Sequence, residues 1–219
     1  MTVSPIRFGD EGQIATRELL RRFQALDGEP PETLARQVRA LEALDRQYGG
    51  ASPLPVEDAG ELVDAVIAGL AQLGDESADL VVGACLWAIR HDVRVTAVEP
   101  VVNALALRSN RAAGKAELAA VFGLMQGFIA HVRTSLAADL ERSNPERPWR
   151  ILHVNFVITA IRTEDPALMD FAFESLDHAL PDECRGFYAE ALALAMSPRI
   201  PPEVRERIAA RHALWTRDD

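Results

Sequence analysis

Apolar residues recur every three or four positions almost from one end of this chain to the other, and nowhere do β-branched residues alternate over the length of a strand. That single pattern restricts the chain to packed helices. Four segments sharpen it: residues 78–90, 97–109, 116–133 and 149–162 carry few charges on any side, and no formally charged residue falls between Ile151 and Ile161. A helix without a polar face must be surrounded by others, so these four are expected at the centre of the fold. The flanking segments have one polar side. Residues 32–47 set Leu34, Val38, Leu41 and Leu44 in an amphipathic stripe, and residues 13–27 carry Ile14, Leu19, Leu20, Phe23 and Leu26 before Gly28, Pro30 and Pro31.

Punctuation divides the pattern into about ten helices. Gly49, Gly50, Pro53 and Pro55 make the plainest break, and Gly74 with Asp75 closes a helix that begins near Val56. Thr96 and Glu99 have capping-box spacing with Pro100 in the first turn, while Asp165 and Pro166 form an N-cap and first-position pair. The last helices read as 166–180, 183–196 and 202–215. Successive segments pair as antiparallel hairpins: 57–73 with 78–90, 97–109 with 116–133, 149–162 with 166–180 and 183–196 with 202–215. The expected fold is therefore all-α, as stacked antiparallel helical hairpins in either a HEAT-like solenoid or a compact orthogonal bundle. No internal repeat signature selects between them. Residues 1–48 are expected to form an N-terminal helical hairpin packing on a main all-helical domain over 56–216.

Charge and composition exclude several classes of function. Of 219 residues, 33 are acidic and 23 basic, for a net charge of −10, and all but one of the bases are arginine. A strongly acidic chain repels phosphate backbones, which disfavours nucleic acid as a partner. The longest uncharged run, Leu118 to Val132, has 15 residues and is too short to span a bilayer. Two cysteines cannot build a disulfide framework, and MTVSPIRFGDEG lacks a basic stretch followed by an apolar one. A cytoplasmic location without membrane contact is expected.

Catalytic motifs are absent. No H-E-x-x-H, no Glu-x-x-His pair, no phosphate-binding glycine loop and no G-x-S-x-G elbow occurs. His91-Asp92 matches the dipeptide of HD-type phosphohydrolases, but those enzymes also use an upstream histidine and none precedes His91. Glu174 and His178 lie one helical turn apart, a spacing that suits a surface pair better than a metal site. No cofactor or metal is expected. Lys115, the sole lysine, sits in a polar turn. Cys184 falls in the first turn of a helix beside Arg185, where dipole and cation favour a thiolate, yet Asp182 and Glu183 oppose them. Cys85 reads as core. Gly123 and Gly127 form G-x-x-x-G in an apolar helix, which implies close approach of a neighbour.

Two constellations remain as candidate sites. On helix 149–162, Trp149 and His153 share one face, while Asn155 and Arg162 lie with Thr159 on another. Polar groups in so apolar a segment could orient a small ligand, or simply tie helices together. Elsewhere charge is segregated. Glu57, Glu61 and Asp64 share a helical face in a region, Gln47 to Ile89, that has no basic residue, whereas Arg90 to Lys115 holds Arg90, Arg94, Arg108, Arg111 and Lys115 against only Asp92 and Glu99. Such patches could dock another protein or a second copy in a homo-oligomer. The sequence thus suggests a protein-interaction module (an adaptor, a chaperone-like protein or an inhibitory partner). The alternative is a small-molecule binder or enzyme with a pocket lined by Trp149, His153, Asn155 and Arg162.

Overall fold

The computed structural model describes residues 23–24, 31–49, 51–136 and 143–217. Among them are nine α-helices and one short 3-10 turn, with no strand. The helices are α1 (Glu32–Tyr48), α2 (Ala59–Ala71), α3 (Ala78–Arg90), α4 (Val98–Arg111), α5 (Lys115–Leu136), α6 (Pro148–Thr163), α7 (Pro166–Ala179), α8 (Pro181–Ala195) and α9 (Pro202–Trp215). The expected helix at 13–27 lies outside the described residues, apart from Phe23 and Gln24, which are helical. The chain divides into two compact units, Met1–Ala112 with Gly123–Ala138, and Ala113–Phe122 with Asp139–Asp219. Of the expected break, Gly49 and residues 51–55 lie in non-helical chain inside the first unit.

In the first unit α1 packs on α2, α2 on α3 and α3 on α4, and α4 also meets α2. The stripe Leu34, Val38 and Leu41 of α1 is buried, as are Val63, Val66, Ile67 and Leu70 of α2. At Gly69 an added Cβ would lie 2.8 Å from Leu34 Cδ1, so glycine there lets α1 and α2 approach. α3 is buried almost all round, in keeping with its lack of a polar face. Its end is pinned by polar contacts. Trp87 Nε1 donates to Asp45 at 3.0 Å, the fully buried His91 donates from Nδ1 to the Ala51 carbonyl at 2.7 Å, and Arg90 donates to the Gly49 carbonyl at 2.6 Å. His91 is a structural clasp between α3 and the 49–56 loop, and Asp92 beside it turns the chain with a positive φ of 51°.

The start of α4 departs from the capping-box expectation. The helix begins at Val98, and its preceding amides are satisfied from another helix: Asp64 on α2 accepts from Thr96 N and Ala97 N, both at 2.9 Å, and from the Thr96 hydroxyl. The residue that caps this helix lies more than thirty positions upstream, beyond the reach of a local motif.

In the second unit α6 packs on α7, α7 on α8 and α8 on α9. Phe156 of α6 stacks on Phe122 with ring centroids 4.2 Å apart, and both are buried. α6 ends on Glu164 in the left-handed region, and Lys115 Nζ reaches that carboxylate at 2.7 Å. Asp165 then caps α7, accepting from Ala167 N and Leu168 N, with Pro166 in the first turn as the sequence implies. One carboxylate gathers α7, α8 and α9: Asp177 accepts from Tyr188 Oη at 2.7 Å and Trp215 Nε1 at 3.0 Å, and faces Arg211 at 3.2 Å.

Candidate functional site

α8 carries two apolar stripes. One, Cys184, Tyr188 and Ala195, is buried in the second unit. The other, Phe187, Ala191 and Leu194, follows the same three-to-four-residue spacing; among the described residues it is only partly covered, with Phe187 and Ala191 half-buried and Leu194 70% exposed. Facing it across a trough is the outer side of α6, where Arg150, Val154, Ile158 and Arg162 succeed one another at four-residue intervals and Ile161 joins them. Buried Ile208 of α9 and Ala195 contribute to the lining. The volume of the trough is about 510 Å³. From Arg150 to Arg162 the trough runs about 18 Å at the helical rise, some three turns.

Its charges are segregated. α6 supplies two arginines, and α8 supplies Glu183 and Glu190. Glu183 is already engaged: its carboxylate lies 3.1 Å from Arg150 Nε and 3.3 Å from the buried Arg147 guanidinium. Beside the groove, Arg205 donates to the carbonyls of Ala195 and Ile200 and holds the α8–α9 turn in place.

The expected ligand quartet does not converge. Trp149 and His153 point into the unit, where both are buried edge-to-face with ring centroids 4.3 Å apart. Asn155 donates to the Ile151 carbonyl of its own helix at 2.9 Å, and Thr159 does the same to the Asn155 carbonyl at 2.7 Å. Only Arg162 lines the groove. The charged patches are corrected as well. Arg108 is 7% exposed and bound to Asp79 at 2.9 Å, so it offers no surface to a partner. Arg111 is exposed and donates to the Asp75 carbonyl at 3.1 Å. Glu57 lies in the turn before α2 rather than on it, and Asp64 is occupied capping α4, which leaves Glu61 alone of the three as an exposed carboxylate on the helix.

No family of known proteins, no curated protein and no solved structure matches this chain. The site therefore stands on its own geometry.

Two further concavities are more polar. One, about 720 Å³ in the first unit, has an alanine-rich floor with Gln72, Asp75, Glu99 and Asn103 around it; the other lies at Asp92, Arg94 and His131. Neither is lined by any of the large apolar side chains that stand exposed among the described residues. Among the described residues no group of three His, Cys, Asp or Glu could hold a metal ion, and no helix is long and apolar enough to cross a membrane. Cys184 is buried, with its thiol donating to the Leu180 carbonyl at 3.3 Å. Burial first, then the Asp177 carboxylate beside it, push its pKa up, so it is not the activated thiolate that its place in a helix's first turn suggests. Gly123 also differs from expectation: a Cβ built there meets nothing within 4 Å, so no neighbour approaches closely at that residue.

The α8 half of the groove was missed from the sequence, although a signal exists. The run from Ala191 to Met196 has no polar residue, so the end of α8 has more apolar faces than its buried contacts use.

Proposed function

We propose that this chain is a soluble, cytoplasmic protein-interaction module, and that its contact surface is the α6–α8 groove, which receives an apolar helical segment of a protein. The observation that carries this reading is the trough flanked by Leu194 at 70% and Ile158 at 40% exposure. Apolar side chains gathered on one open groove and bounded by charge mark interaction sites on soluble proteins. A trough some three turns long between two helices suits an amphipathic helix, whose apolar face would fill it while charged flanks meet the arginines and glutamates. Adaptor, chaperone-like and inhibitory roles all use such a surface.

The test places the photo-crosslinking residue p-benzoylphenylalanine at position 158 and irradiates intact cells that make the protein. A covalent adduct with a polypeptide is expected; adducts with lipid or small molecules alone, or none, would overturn the reading. One observation favours a second reading. A volume of about 510 Å³ falls within the size range of small-molecule pockets, and Arg162 could meet an acidic group on an apolar ligand. A native mass spectrum of gently purified protein separates the two, because a retained small mass displaced by Ile158→Arg belongs to the second reading only.

A further inference from the structure

We propose that the segment received by the groove belongs to a second copy of this chain, so that the protein forms a two-fold symmetric dimer with the α6–α8 faces apposed; this rests on the groove being a protein contact. An isologous interface demands that one surface complement itself. This face does so in charge, and its exposed Ile158 and Leu194 are apolar surface that such a contact would cover. Its charge is divided by helix, arginine on α6 and glutamate on α8, so a two-fold axis that lays α6 of one copy along α8 of the other sets opposite charges together on both sides of the axis. The Arg150–Glu183 pair is satisfied within the chain, which leaves Arg162 and exposed Glu190 as the pair that reads the second copy. Arg162 is also engaged within its own chain, but a guanidinium has five N–H donors and can serve two partners. Ile158 and Leu194 would lose their exposure to water in the same contact.

The charge arrangement dictates the test. Arg162→Glu and Glu190→Arg are prepared as separate proteins, and their mass in solution is followed by sedimentation at physiological salt, with circular dichroism melts confirming that each is folded. The wild type is expected to pass from monomer to dimer as its concentration rises. Each variant alone faces like charge with like on both sides of the axis and should associate at least about tenfold more weakly. Mixed in equal amounts, the two should dimerise again, because the hybrid has one reversed pair and one native pair. Pairing within a single chain cannot produce that recovery. Leu194→Arg, at a position too exposed to unfold the chain, should also abolish the dimer. A wild type that stays monomeric up to about 100 μM overturns the proposal, as does a dimer indifferent to all three substitutions. The two readings fail separately: a monomeric protein whose position-158 crosslink captures a different polypeptide keeps the interaction surface and loses the second copy.

Discussion

At the scale of single residues, Asp177 carries more of the second unit than its partial exposure suggests. Its carboxylate accepts from Tyr188 and Trp215 and faces Arg211, one partner on α8 and two on α9. Asp177→Ala removes the shorter bond of the buried Tyr188 hydroxyl, which keeps the Phe173 carbonyl at 3.3 Å, and takes the acceptor from Trp215 Nε1; it should cost about 1–3 kcal/mol, read as a lower urea midpoint with unchanged slope. The thiols make a second residue-scale prediction. Burial pushes up the pKa of Cys85, and burial together with Asp177 pushes up those of Cys184 and Tyr188. A raised folded-state pKa means that the native protein holds protons that the unfolded chain releases. The stability from these groups is complete below the ordinary thiol value of 9.0 and is lost as pH climbs above it. Urea midpoints should therefore fall between pH 8 and pH 10 by more in the wild type than in a Cys85→Ala, Cys184→Ala double variant. Neither thiol should react with iodoacetamide until the protein unfolds; rapid labelling of the native state at pH 8 would contradict the burial.

At the scale of elements, what could be read in the sequence was local. Asp165-Pro166 starts α7 because a carboxylate there reaches amides only two and three residues on, and the contact is written in adjacent letters. The start of α4 is different. Thr96 and Glu99 have the spacing of a capping box, but Asp64 takes the amides first, and its approach depends on how α2 packs beside α4. The same packing explains why Glu57, Glu61 and Asp64 resemble one acidic face on paper and serve different ends in the fold. Asp64→Ala should cost about 1–2 kcal/mol, since three donors lose their acceptor, while Glu61→Ala should leave the urea midpoint nearly unchanged. Equal effects from the two would return Asp64 to the surface. The candidate site divides along the same line. Arg162 was visible because it breaks an apolar helix; the second apolar stripe of α8 was not, since only the positions of neighbouring helices show which stripe they leave uncovered.

At the scale of the whole molecule, what matters is where its few cations are spent. With 33 acidic residues against 23 basic ones, the chain could still bind a phosphate backbone if its arginines were pooled on one surface, and the stretch from Arg90 to Lys115 looks like such a pool in sequence. The fold disperses it. Arg90 is tied to the Gly49 carbonyl, Arg108 is buried against Asp79, Arg111 donates to the Asp75 carbonyl, and Lys115 pairs with Glu164. Each contact satisfies the cation locally and sets a backbone dipole or a carboxylate beside it, so the potential outside is weaker than the count of bases implies. Non-specific affinity for duplex DNA comes almost wholly from cations that displace counterions from phosphates, and it is strongest at low salt. The protein should accordingly leave the anisotropy of a labelled duplex unchanged at about 50 mM salt, the condition most generous to binding. Binding that appears there and collapses as salt rises would show that Arg94 and the other exposed arginines form a working phosphate surface, and the dispersal of charge would have to be redrawn.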